Sequence, residues 1–391
     1  MTQTVSTKSI QSLASSKLTG ALPAISGAAL TGVSAGVYNS TSNPSPTSNK
    51  TLGFIWANSV TGEMFNCIDA TTNANIWKNV GAGITHVSSH KFQGEIAGFT
   101  IGGWGGKTGD YNANINKYSF SSGDNAIEHG DISHARYQGA GNASATYGYC
   151  SGGYGPGSKL TNANIIDKFA FSNNVTGTDV GNLTVGRRQT CGQSSSTHGY
   201  TTGGTAPPNT NVCDKFSFAS NGNATDVGDN TLARSSCAGM SSTTHGFTAG
   251  GTTDPTDRNE IDKFSFASNN NAADVGDLSQ ARTGTQGASS STHGYIMSGY
   301  ISSPAGLTTR IDKFAFATNN NSTNIGDVAT AGHSGGSCTS SVTHGYLAGG
   351  PNNNAGYGHT IQKTSFSTDG DAVDTLQDLT HWMQSPGACQ E

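Results

Sequence analysis

The stretch DKFSFASNNNAADVGDLSQARTGTQGASSSTHGYIMSGY, residues 262–300, decides the fold. It holds four short segments in order: DKFSF, ADVGDLS, the small-residue run GTQGASS, and HGYIMSG. Each is four to eight residues long, carries β-branched or aromatic residues, and is bounded by Gly, Asn, Asp or Pro. Segments of that kind read as strands. A helical reading fails on composition, because the chain carries 54 glycines in 391 residues and glycine costs about 1 kcal/mol per helix position relative to alanine.

Working outward, the same order recurs six times between about Ser88 and the C-terminus. The Gly-aromatic segments are GFTIGG at Gly98, GYCSGG at Gly148, GYTTGG at Gly199, GFTAGG at Gly246, GYIMSG at Gly294 and GYLAGG at Gly345, spaced by 50, 51, 47, 48 and 51 residues. Behind each comes a segment with a fixed Lys and Phe: Lys117 and Phe120, Lys168 and Phe171, Lys215 and Phe218, Lys263 and Phe266, Lys313 and Phe316, Lys363 and Phe366. Arg136, Arg187, Arg234 and Arg282 each precede the next Gly-aromatic glycine by twelve residues. A period near 49 with four strands per unit predicts propeller blades, not a helical solenoid. Six such sheets bury their faces only against one another, so a closed ring is the expected arrangement. The C-terminal LTHWMQSPGACQE, residues 379–391, stands where the other copies hold the small-residue strand, and is expected to supply the innermost strand of the first blade.

The order of small-residue strand, Gly-Gly strand, aromatic strand, outer strand and Ala-Arg resembles the kelch repeat over roughly 300 residues. The outer-strand tryptophan usual in kelch repeats is absent here. The expected fold is therefore all-β: a six-bladed kelch-like β-propeller over residues 86–391, closed by the C-terminal strand, behind a small β-rich attachment module.

Composition narrows the function classes. Charged residues make up only 12% of the chain, with 20 basic against 25 acidic and a formal charge of −5. That leaves no electrostatic footprint for nucleic acid or an anionic membrane. Residues 1–16 lack the apolar centre of a signal peptide, and the uncharged run 19–35 is broken by Gly20, Pro23, Gly27 and Gly32, so no membrane insertion is expected. Seven cysteines with no Cys-x-x-Cys spacing argue against a zinc site and a disulfide framework, and read as free, mostly buried thiols.

The first 85 residues differ from the repeats. They divide into a Ser/Thr/Gly/Ala-rich segment (1–38), an Asn/Ser/Pro stretch NSTSNPSPTSNK read as a linker (39–50), and a small β module (51–85) with GFIWAN and EMFNCID as hairpin strands and IWKNVG as a third piece. Alone, that module has little apolar area to stabilise it. KLTGALPAISGAALTGV, together with the Gly-x-Ile-Trp, Thr-Gly-Glu-Met-Phe-x-Cys-x-Asp and Asn-x-Trp-x-Asn-Val-Gly patterns, resembles modules of bacteriophage tail-fibre and other virion proteins, those of marine phages in particular. The resemblance covers roughly residues 15–83. It implies an attachment module, commonly trimeric, that docks on other virion or tail proteins through residues 1–85. It also implies a particle assembled in the host cytoplasm and carried outside the cell.

His198, His245, His293 and His344 precede the Gly-aromatic pairs, and their repetition favours a turn or inter-blade role over metal ligation. The four arginines, with Asp167, Asp214, Asp262 and Asp312, read as repeated ion pairs; the alternative is an anion site at one mouth of the channel, with the extra Arg188 as its contact. The string GGWGGKT, residues 102–108, lacks the first glycine of a phosphate loop. No hydrolase, zincin or dinucleotide motif is usable. Among the carboxylates outside the repeat pattern, Asp110, Glu128, Asp254, Asp257 and Glu260 form no recognisable pair. The expectation is a non-enzyme with no catalytic residue, metal or cofactor.

What varies is the loop after each Gly-Gly. A rigid scaffold with divergent loops is where binding resides. Trp104, Tyr111, Tyr154, Arg188, Tyr300, Tyr357 and His359 are the candidate ligand contacts, suited to stacking on sugar faces. The leading expectation is a tail-fibre or tail-tip subunit that binds a host-surface glycan or protein through these loops. A purely structural virion subunit, a polysaccharide-acting enzyme and a secreted lectin-like protein are the alternatives.

Overall fold

A computed structural model describes residues 37–59, 63–79, 86–87, 92–105, 110–157, 160–174, 176–329, 335–352 and 356–391. The chain falls into two compact units, Met1–Ser89 and His90–Glu391. Among the described residues no helix is long and apolar enough to cross a membrane.

The first unit is one sheet, ordered β1 (Tyr38–Ser40), β2 (Ile55–Asn58), β3 (Met64–Asp69), β4 (Ile76–Asn79) and β5 (His86–Val87). β1 runs parallel to β2 and the other pairs are antiparallel. Trp56, Phe65, Cys67 and Trp77 form its core. Residues 39–50 are here a correction to the linker reading. Ser42 and Ser45 offer their carbonyls to the indole N–H groups of Trp56 and Trp77 at 2.9 and 3.1 Å, and Lys50 donates its backbone N–H to Asn75 at 2.9 Å. Buried indoles need acceptors, and this polar stretch supplies them. Residues 1–36 lie outside the described residues.

Among the described residues the second unit contains five four-stranded antiparallel sheets and a sixth sheet of five strands. Five are continuous in sequence. They are β9 to β12 (Ala140–Ala143, Tyr147–Ser151, Ile165–Ala170, Thr178–Asn182) and β13 to β16 (Cys191–Ser194, His198–Thr202, Val212–Ser217, Thr225–Asp229). Next come β17 to β20 (Ala238–Ser241, His245–Ala249, Glu260–Ser265, Ala273–Asp277) and β21 to β24 (Gln286–Ser289, His293–Ser302, Ala305–Ala315, Thr323–Asp327). The fifth is β25 to β28 (Ser337–Ser340, His344–Asn352, Gly356–Ser365, Val373–Asp378). The sixth joins the two ends of this unit: β6 (Ala97–Gly105), β7 (Asp110–Ser119) and β8 (Ile127–Asp131) receive β29 (Met383–Gln384) and β30 (Gly387–Gln390) on β6. Cys389 of β30 pairs with Phe99, and Gly387 with Ile101.

The innermost strands β9, β13, β17, β21, β25 and β30 neighbour one another in that order, and β30 returns to β9. This is a β-propeller-like all-β fold. The aromatic repeat accounts for the cohesion between sheets. The aromatic of each Gly-aromatic pair packs on the fixed Phe of the next sheet: Phe99 on Phe171, Tyr149 on Phe218, Tyr200 on Phe266, Phe247 on Phe316, Tyr295 on Phe366 and Tyr346 on Phe120, with ring centroids 4.7–5.0 Å apart. Lys117, Lys168, Lys263 and Lys313 lie over the ring of the facing strand in their own sheet, Lys117 over Phe99 at 5.3 Å.

Nearer the axis the contacts are between backbones. A Cβ on Gly192 would overlap the Gly141 carbonyl oxygen, and one on Gly239 the Gly192 carbonyl oxygen. A second link is a relay of hydroxyls. The N–H groups of Ala143, Ser194, Ser241 and Ser289 donate to the hydroxyls of Ser194, Ser241, Ser289 and Ser340 at 2.8–3.1 Å. Ser340 N–H then donates to Gln390 Oε1 of the C-terminal strand at 3.3 Å. Gly192→Ala is expected to destabilise the chain by about 3 kcal/mol, the upper end for overpacking. Gly222→Ala, whose Cβ meets open space, should stay within about 0.5 kcal/mol of the parent, as read from denaturant midpoints.

Candidate functional site

The repeated charges come to rest inside the sheets. Arg136, Arg187, Arg234 and Arg282 are fully buried and pair with Asp167, Asp214, Asp262 and Asp312 at 2.6, 2.8, 3.0 and 2.9 Å. Each guanidinium also donates to the carbonyl fourteen residues on: Cys150, Thr201, Thr248 and Ile296. Three of the carboxylates take a hydroxyl and an N–H from the same connection that carries the arginine, as Asp214 does from Thr184 at 2.6 and 3.0 Å. Each arginine thereby clamps an incoming connection to the sheet it enters, and none of the four is free to hold an anion.

The two sheets without this arginine also lack the aspartate. Met383 and Asn116, both fully buried, hold the two positions in the sheet of β6, and Asn116 accepts from Thr380. In the sheet of β25 the carboxylate position is Gln362, which accepts from Ala329 N–H at 2.8 Å, and no arginine lies between Val328 and Gly335. A buried charge persists only with its partner.

Each repeated histidine opens the second strand of its sheet, beside the hairpin turn. Nδ1 of His198, His245, His293 and His344 lies 2.8–2.9 Å from the preceding threonine hydroxyl. Burial, and then the lysine of the facing strand, lowers the pKa of all four. Among the described residues no group of three His, Cys, Asp or Glu could hold a metal ion.

Divergent chemistry gathers at one end of the axis. The residue after each arginine position bridges to the residue after the Gly-Gly turn: Tyr137 to Tyr154, Arg188 to Thr205, Ser235 to Thr252 and Thr283 to Tyr300, with Gln384 opposite Trp104 in register. These pairs form a rim whose backbone repeats and whose side chains do not. On one sector, Tyr111 lies opposite Trp104 in register, and its ring sits 5.9 Å from Tyr137 and 6.0 Å from Tyr154. The Arg188 guanidinium covers the Tyr154 ring at 4.7 Å. Desolvation, then the neighbouring phenol of Tyr154, raises the pKa of Tyr111. Four of the sequence candidates thus meet in one aromatic and cationic sector. The opposite sector carries Ser235, Thr252 and Thr283.

Tyr300 also lines the mouth, about a third exposed. His359 is half exposed on β27, its Nε2 3.6 Å from Asp378. The side chain of Tyr357 and residues 106–109 lie outside the described residues. Of the carboxylates set apart earlier, Asp257 accepts from Ser302 and Glu260 pairs with Arg258 and Arg234. Asp254 is on the mouth.

Between the rim sectors an axial cavity of about 550 Å³ descends to the glycine collar of the inner strands. Six backbone amides encircle it. Gln138 N–H donates to Ser385 O, Gln189 to Gln138, Ser236 to Gln189, Gly284 to Ser236, Gly335 to Gly284, and Ser385 back to Gly335. All six residues have φ between 50° and 74°, a region that costs a non-glycine residue about 1–2 kcal/mol. The closed ring offsets that strain, since every amide in it is satisfied.

Sequence reasoning missed Tyr137, although it stands one residue past Arg136, as Arg188 does past Arg187. It also missed the cavity wall residues Gln138, Thr190 and Ser337, which no composition signal marks.

No family model and no curated protein matches the chain. Among solved structures, the structure of YjhT matches with a TM-score of 0.57 and 12% identity, covering 72% of this chain and 98% of that one. At that identity the likeness speaks for the fold alone.

The buried pairs make a direct prediction. Arg282→Met or Asp312→Asn alone is expected to cost about 3–5 kcal/mol, because each strands a buried charge or its partners. The double variant reproduces the Met383 and Asn116 combination and should recover most of that loss in a denaturant melt.

Proposed function

We propose that this chain is a recognition subunit of a phage particle: a six-bladed kelch-like propeller that binds a host-surface glycan or protein, carried by an N-terminal module that attaches it to the virion. The reading rests on one observation above the others. The aromatic positions that pack sheet on sheet repeat in all six sheets, whereas the rim side chains at a single end of the axis diverge into an aromatic, cationic sector and a hydroxyl sector. That is the pattern of a scaffold presenting a binding face.

Other features support it. Tyrosine and tryptophan supply rigid, amphipathic contact area, and Trp104, Tyr111, Tyr137 and Tyr154 provide it in one place. The only carboxylate on the cavity wall among the described residues is Asp254, which favours binding over the two-carboxylate chemistry of glycoside hydrolysis. The attachment role of residues 1–85, the trimeric state and the tail-fibre location rest on the resemblance of that segment to virion modules. In a trimer, several weak propeller contacts would add through multivalency.

The test is adsorption. Particles carrying Trp104→Ala with Tyr154→Ala are expected to assemble at parental yield and to lose at least tenfold in the rate of adsorption to host cells. Parental adsorption by fully assembled particles would overturn the assignment of this face.

A further inference from the structure

Arg188 is the single cation on the mouth of the axial cavity among the described residues, and its charge is unspent. Its neighbour Arg187 is paired with Asp214 inside the sheet. Arg188 has no ion pair and no side-chain hydrogen bond among the described residues; its guanidinium rests on the Tyr154 ring, 4.7 Å from the centroid. Stacking of that kind uses the flat face of the group. The five N–H donors lie in its plane and stay open.

The group is also held in place. The backbone of Arg188 exchanges two hydrogen bonds with Thr205, at 3.1 and 2.8 Å, and Tyr154 supports the side chain from one face. The carboxylates of this end do not claim it. Asp110 accepts the backbone N–H of Tyr111 at 2.7 Å, and Asp254, also on the mouth, forms no ion pair with Arg188. A planar fork fixed in this way is the donor that carboxylate and phosphate groups accept from in pairs.

What surrounds the fork is aromatic. Tyr111, Tyr137 and Tyr154 have ring centroids 5.7–6.0 Å apart, and Trp104 lies opposite Tyr111 in register. All four are partly exposed. Burial raises the pKa of Tyr137, with the Arg188 charge acting against it, so the phenol keeps its O–H at neutral pH. Such rings offer an apolar body and a polar tip, which match the C–H face and the hydroxyls of a sugar.

We infer that Arg188, Tyr111, Tyr137 and Tyr154 form a binding site for an acidic saccharide, its carboxylate or phosphate paired with Arg188 and its sugar ring against the tyrosines. This rests on the recognition reading above and names the ligand class for that face.

The experiment uses the purified full chain and four probes at millimolar concentration. Glucuronate and glucose 6-phosphate carry the two acids, methyl α-glucoside is the neutral counterpart, and N-acetylglutamate is an acid without a sugar. Affinities are read by saturation-transfer NMR titration. At least one sugar acid is expected to bind tenfold or more tightly than both controls, and to weaken as salt is raised. Which of the two binds identifies the acid. Arg188→Gln is expected to bring that acid and the neutral sugar within twofold of each other. Arg188→Lys, which keeps the charge and loses the fork, should fall between the two.

Equal binding of neutral and acidic sugars by the parent, no binding of either sugar acid, or equal binding of N-acetylglutamate would overturn the inference. These comparisons need no variant to fold. Unchanged acid binding by a folded Arg188→Gln chain would overturn it as well. Adsorption of particles separates the two claims. If the Trp104 and Tyr154 variant loses adsorption while sugar-acid binding ignores Arg188, the acid assignment fails and recognition by the rim stands. If sugar-acid binding depends on Arg188 but particles lacking Trp104 and Tyr154 adsorb like the parent, the site stands and the virion reading fails.

Discussion

The close approach of the inner strands along the axis is the constraint on which the rest depends. Gly141, Gly192 and Gly239 let one strand's backbone lie against its neighbour's carbonyl, and the serine relay from Ser194 to Ser340 ties the same strands by side-chain acceptors. Only at that spacing do the six residues at the mouth reach one another to close a ring of N–H to O=C bonds. Only at that spacing, too, does the aromatic of each sheet land on the fixed Phe of the next. Small residues near the axis and aromatics further out follow from geometry: sheets that radiate from an axis are crowded at the centre and splayed at the edge.

Repetition and divergence then divide the work. The buried Arg and Asp pairs secure the connections between sheets, and where the arginine is lost the carboxylate is lost with it, in favour of Met383 with Asn116 or of Gln362. The chain thus shows internally that the clamp is an all-or-none unit. Because that unit consumes the charges, the mouth of the axis is left nearly neutral. The divergent rim side chains stand on a backbone that is the same at every sheet, so binding chemistry can change there without touching the collar.

Much of this was legible from residue order. The six Gly-aromatic pairs, the fixed Lys and Phe and the spacing near 49 indicate sheets in series, and the aromatic of each pair meets the fixed Phe at a sheet-to-sheet contact. The ion-pair reading of Arg187 with Asp214, and of its copies, followed from the same repetition. Other features left no mark. The ring at the mouth uses Gln138, Gln189, Ser236, Gly284, Gly335 and Ser385, whose identities differ because the shared property is a left-handed backbone imposed by the ring itself. Residues 39–50 look like a linker by composition, yet their carbonyls are what the buried indoles of Trp56 and Trp77 require.

Native-state amide hydrogen exchange at the mouth tests the central claim, that backbone closure around the axis holds both the sheets and the cavity. The account predicts that the amides of Gln138, Gln189, Ser236, Gly284, Gly335 and Ser385 exchange slowly and together, through the same opening that exposes the inner strands. Fast, independent exchange at these six positions, at the rate of open loops while the strands stay protected, would contradict it.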